Sequence, residues 1–86
     1  MRVETNDQVT SNELEVFVYS KNQDELNSTA TITAVRNELE NRPEYSEIYL
    51  VGQGGNHAKV DEIEPSKYPI RSEKSTGEYY VMFMLK

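Results

Sequence analysis

The run Gly52-Gln53-Gly54-Gly55 is followed by the only histidine of the chain, His57, and then by Lys59. Glycines let backbone N–H groups approach an anion closely, so such a run could cradle a phosphate. Its spacing fits neither phosphate fingerprint. A dinucleotide loop needs G-x-G-x-x-G opening a helix, and a Walker loop needs Gly-Lys-Ser/Thr after four spacer residues. Two readings follow: a turn whose glycines take positive φ, or a backbone contact to an anion or nucleic acid. His57 could serve as a general base only with a carboxylate such as Asp61 or Glu62, because the chain has no second histidine and no cysteine. Nothing in the spacing selects that pair over a solvated loop histidine, so the chain is read as non-enzymatic.

Carboxylates occur in pairs: Asp24 with Glu25, Glu38 with Glu40, and Asp61 with Glu62. Residues at i and i+2 on a helix point to different sides, so Glu38 and Glu40 do not converge. The D-x-D-x-D-G register of a calcium loop is absent, and neither a metal nor a cofactor is expected. Glu38, Glu40 and Glu44 read instead as a charged helix face that could meet a basic protein. Six tyrosines in so short a chain favour contact surfaces, because tyrosine offers a large ring with a polar tip. Tyr45 and Tyr68 fall outside the clear strands and are the interface candidates.

The elements that must position these residues belong to one small domain. At 86 residues the chain has one core and buries roughly 60–65% of the surface its unfolded form exposes, so dimerisation is expected. Absence of cysteine excludes disulfides, thiolate nucleophiles and Cys-ligated zinc, and it fits a reducing compartment. No stretch is apolar for long enough to act as a signal h-region or membrane span. A soluble, cytoplasmic protein without a membrane partner is the expectation. The formal net charge of −6 lies wholly in residues 1–50, which hold ten acids against four bases. A phosphate backbone would be repelled there and would meet a local basic patch, at most, in the second half.

Residues 1–12 read as a polar tail or edge strand, and 13–86 as the domain. Leu14, Val16 and Val18 alternate with Glu15, Phe17 and Tyr19, which predicts a strand. Asp24 or Ser28 can cap a helix whose Ile32, Val35 and Leu39 share one face, ending at or before Arg42 because Pro43 follows. Glu47 to Val51 is a short buried strand. Strand–helix–strand order predicts a parallel pair joined by a right-handed crossover. Between residues 57 and 69 only Val60 and Ile63 are core candidates, with Pro65 and Pro69 confining the segment to an edge or irregular structure. Ile70–Glu73 and Glu78–Leu85 form a hairpin around Ser75, Thr76 and Gly77. Its second arm is apolar on both faces, hence central. The prediction is an α+β domain, β-α-β-β-β, with one helix packed on a mixed sheet.

With that order in place, "SEIYLVGQGGNHAKVDEI" resembles the Alba family of chromatin- and RNA-associated proteins. Glu47, Ile48, Leu50, Gly52, Gly54, Lys59 and Val60 match its strand-into-glycine-turn register. "VFVYSKN" is similar to its first strand and basic turn, with Lys21 in the matching place, and "STGEYYVMFMLK" to the second arm of its terminal hairpin. The resemblance implies a dimeric module binding RNA or DNA weakly through Lys21, Gly52, Gly54, His57, Lys59, Arg71 and Lys74. The acidic composition implies a different function: a protein-interaction module or inhibitor, of the kind a phage, virus or plasmid encodes, docking on a basic nucleic-acid-processing protein.

Overall fold

The computed structural model describes residues 1–7 and 12–86. Among the described residues, six strands and two helices follow one another as β1 (Arg2–Asp7), β2 (Leu14–Ser20), α1 (Gln23–Leu26), α2 (Thr29–Glu40), β3 (Ile48–Val51), β4 (His57–Lys59), β5 (Arg71–Glu73) and β6 (Glu78–Leu85). Short 3-10 turns at Val60–Glu62 and Pro65–Lys67 fill the segment between β4 and β5. The domain is α+β, as expected. Of the segment read as a polar tail or edge strand, Arg2–Asp7 is the edge strand, outermost beside β2, and residues 8–11 lie outside the described part of the chain.

One sheet runs in the order β1-β2-β6-β3-β4, and β5 also pairs with β6. The C-terminal strand is central, as its two-sided apolar pattern predicts. It takes β2 along one side and, on the other, β3 at its end and β5 at its start. The expected parallel neighbours β2 and β3 do not touch, because β6 lies between them and pairs antiparallel with both. The sheet is therefore antiparallel throughout rather than mixed. A crossover brings β2 and β3 into the same direction, and the later strand fills the gap that this leaves.

Both helices lie on the face that carries Leu14, Val16, Val18, Val81, Phe83 and Leu85, all fully buried. The single predicted helix is two. Asn22 caps α1 by accepting from the Asp24 amide, and Ser28 caps α2 by accepting from Ala30. Asn41 closes α2 short of Pro43. Thr31 is fully buried, and its hydroxyl donates to the carbonyl oxygens of Leu26, at 2.9 Å, and Glu25, at 3.2 Å, which ties the two helices together.

The segment between β4 and β5 is irregular yet anchored. Asn27 Nδ2 donates to the carbonyls of Pro65, at 2.9 Å, and Tyr68, at 3.1 Å. Those contacts hold the Tyr68 ring edge-on to Phe83, with centroids 5.5 Å apart. Losing the amide removes the donor to the Tyr68 carbonyl, a cost of about 1–3 kcal/mol, while the Pro65 carbonyl keeps the Tyr68 amide at 3.1 Å. Asn27→Ala is therefore expected to lower the urea midpoint, with hydrogen exchange quickening first around residues 63–69.

Candidate functional site

The glycine run is a turn. Gly55 donates its amide to the Gly52 carbonyl at 3.0 Å, and Gly52 donates to the Asn56 carbonyl at 2.8 Å, closing the β3–β4 hairpin. Only Gly55 in this run has positive φ, 88°, as the residue after a tight turn requires. Arg71 Nη2 also donates to the Gly52 carbonyl, at 2.7 Å, so the amides of Gly52 and Gly55 and the carbonyl of Gly52 are all engaged. A Cβ on Gly54 would meet nothing within 4 Å, whereas Gly55 could accept one only with strain. Gly54→Ala is thus expected to be neutral or to stabilise by up to about 1 kcal/mol, and Gly55→Ala to destabilise by a similar amount, as paired thermal melts would show.

The remaining nucleic-acid candidates divide into two places. Lys21 follows β2, Lys74 opens the β5–β6 turn and Arg71 faces Tyr80 across the ladder, so these cations gather at the end of the sheet where β6 begins. His57 is exposed opposite Val51. Lys59 lies apart. It lines a pocket of about 370 Å³ at the C-terminal end of α2, together with Arg36, Leu39, Glu40, Ser46, Glu47, Ile48, Val60 and Asp61.

That pocket gathers features the sequence left scattered. Leu39, Ile48 and Val60 supply apolar surface, while Glu40, Glu47 and Asp61 supply carboxylates. The last turn of α2 contains no basic residue, so the negative end of the helix dipole is unopposed within the helix itself. Of the predicted acidic set, Glu40 lines the pocket, whereas Glu44 is exposed and does not line it. Glu38 is taken up by Arg42 Nε at 2.9 Å, an intramolecular pair that holds the arginine above its ordinary pKa. Arg36 Nη2 stands 3.6 Å from Asp61 across an exposed pair. Tyr68 is 4% exposed and serves the core rather than a docking surface; burial raises its hydroxyl pKa, against the opposing influence of Arg36. Tyr45 is half-buried and also packs on the core. Their lack of strand pattern hid this, because irregular segments can still carry core side chains.

A further surface escaped the sequence reading. On the face turned away from the helices, Phe17, Tyr19 and Tyr80 form a ring cluster with centroids 5.2–6.4 Å apart. Arg2 sits 4.2 Å over the Tyr19 ring and donates to Glu78 Oε1 at 2.5 Å, with Glu4 also in contact. The Arg2 bond holds the Glu78 carboxyl below its ordinary value of 4.5, and Ser75 does the same for Glu73. A carboxyl with a lowered folded pKa contributes stability above its unfolded pKa and loses it as pH falls through the folded one. Melting temperature is therefore expected to drop between about pH 5 and about pH 3, and to drop less in Glu78→Gln.

Among the described residues, no three His, Cys, Asp or Glu side chains are placed to hold a metal ion, and no helix is long and apolar enough to cross a membrane. No protein-family model, curated protein or solved structure matches this chain, so its functional reading rests on its own residues.

Proposed function

We infer that this chain is a non-enzymatic binding module that grips a basic segment of a partner protein in the pocket at the end of α2. The observation that carries the reading is the pocket itself, in which three carboxylates, offset in part by Arg36 and Lys59, and the negative helix terminus border an apolar floor. A lysine or arginine from a partner needs both parts, because its aliphatic stem packs on apolar surface while its head seeks acceptors. The net charge of −6 adds long-range attraction for a basic partner.

Titration with a short lysine- and arginine-rich peptide at low salt tests the reading. Binding is expected to weaken about tenfold or more in Glu40→Lys/Asp61→Lys and to fall with added salt. Arg36→Ala should tighten it, since Arg36 competes for Asp61 from within the chain. A peptide that does not bind, or that binds the double variant equally well, overturns the proposal.

A second reading has its own observation: Lys21, Arg71 and Lys74 at one end of the sheet, next to the Tyr19–Tyr80 rings, could track a short single strand of RNA or DNA while its bases stack. This is the Alba-like function moved off the glycine turn. Quenching of tyrosine fluorescence by an oligonucleotide at low salt, lost in Lys21→Glu, supports it. No quenching at low salt rules it out.

A further inference from the structure

The outer edge of a sheet carries backbone donors and acceptors that no neighbouring strand uses, and an extended segment of another chain can bond to them. β4 is such an edge, because it ends the order β1-β2-β6-β3-β4 and pairs only with β3. Which of its groups face outward follows from the turn before it. Gly52 donates to the carbonyl of Asn56 at 2.8 Å, and these two residues stand opposite each other in the register that sets Leu50 against Ala58. Bonded and non-bonded pairs alternate along an antiparallel ladder, so Leu50 and Ala58 form the next bonded pair. His57 and Lys59 therefore turn their backbone groups away from β3. The Lys59 carbonyl leads into the 3-10 turn Val60–Glu62, which leaves the His57 amide and carbonyl and the Lys59 amide without a partner among the described residues.

The same edge borders the α2 pocket. Lys59, Val60 and Asp61 line it from the end of β4, and Arg36, Leu39 and Glu40 line it from the helix; β1, the opposite edge of the sheet, contributes nothing to it. Side-chain direction follows from register. His57 and Lys59 are exposed and share the face of Val51 and Tyr49, whereas Ala58 shares the face of Leu50, which joins the core beneath the helices. A strand laid along β4 alternates in the same way. Its residue opposite Ala58 points to the helix side, toward the pocket and its carboxylates, and the residues before and after it stand beside His57 and Lys59 on the other face. A lysine or arginine suits the first place. In the other two it would meet like charge, which disfavours a cation there.

We propose that the basic segment held in the α2 pocket binds as an extended strand antiparallel to β4, bonded to the His57 amide and carbonyl and to the Lys59 amide, with a lysine or arginine opposite Ala58 entering the pocket between two uncharged residues. This rests on the pocket reading and adds to it the partner's conformation and its sequence pattern. Backbone bonds supply affinity along the edge, and the pocket selects the side chain.

Fluorescence anisotropy with a tagged short peptide, one lysine between two threonines, tests the geometry. In the bound strand the two threonine amides face β4 and the lysine amide faces away. N-methylation of both threonines should weaken binding at least about tenfold, and N-methylation of the lysine should change it by less than about twofold. The protein offers a matching substitution. Lys59 has φ −60° and ψ 130°, which proline adopts, and the β3 ladder does not use its amide. Lys59→Pro should therefore melt close to Lys59→Ala, which loses the same charge, yet bind the peptide at least about fivefold more weakly. If Lys59→Pro misfolds, the two methylated peptides decide the matter. Equal binding by both methylated peptides, or by folded Lys59→Pro and Lys59→Ala, overturns the strand geometry; binding that still falls in Glu40→Lys/Asp61→Lys then leaves the pocket reading standing. An unmodified peptide that does not bind overturns both.

Discussion

Phe83→Ala is expected to cost about 3–5 kcal/mol, the range for truncating a fully buried aromatic ring. A chain of 86 residues has a total stability of about 4–13 kcal/mol, so this single change removes roughly a quarter or more. Its size follows from position. Phe83 sits on the central strand, facing Val16 on one neighbour and Leu50 on the other, with Tyr68 edge-on above it. Truncation opens a cavity at the point where both halves of the sheet and the irregular segment meet. Thermal unfolding followed by circular dichroism should show the melting temperature reduced by roughly 12–40 °C. A Tyr68→Ala partner and the double variant complete a cycle, in which the aromatic pair should show about 0.5–1.5 kcal/mol of coupling.

Leu26→Ala should follow closely, at about 2–5 kcal/mol, but with a different signature. Leu26 is the only buried residue of the four-residue helix α1, and it is fully buried. An isolated single turn has no stability of its own in water, so α1 stands on that one side chain and on the Thr31 bonds to Glu25 and Leu26. The amides of residues 24–31 are therefore expected to exchange faster than those of β2 and β6 in the variant. Uniform acceleration over the whole chain would contradict a local anchoring role.

Alternation in residues 14–19 and 78–85 made two strands and the central place of the last one readable, because side-chain period is a direct product of strand geometry. Ser28, Ile32, Val35 and Pro43 likewise mark α2 with a start, a buried stripe and an end. What the sequence could not show was partnership at a distance. Nothing local in Leu14–Ser20 or Ile48–Val51 says that a strand made later will lie between them, so a parallel pair was the natural expectation. Tyr68 carries no periodic pattern, and its burial depends on Asn27, 41 positions away. The pocket at the end of α2 was half legible: Glu40 belonged to the acidic set, but Lys59, Asp61 and Ile48 reach it only through the hairpin that the glycines close. The two-sided apolar pattern of β6 was correctly read as centrality, yet centrality explains only Val81, Phe83 and Leu85. On its other side Tyr80 and Met82 are half-buried and Met84 is buried, so that row is partly covered within the sheet itself.

The place of β6 also sets the timing of assembly during synthesis. Until residues 78–85 leave the ribosome, β2 and β3 have no common neighbour, and the apolar side chains of residues 14–51 have no template on which to order. The two ladders that join β6 to β2 and to β3 close large loops, which slows folding. A nascent chain stalled anywhere before Tyr79 should therefore remain open to proteases however long it waits, and become resistant within a narrow span of further elongation.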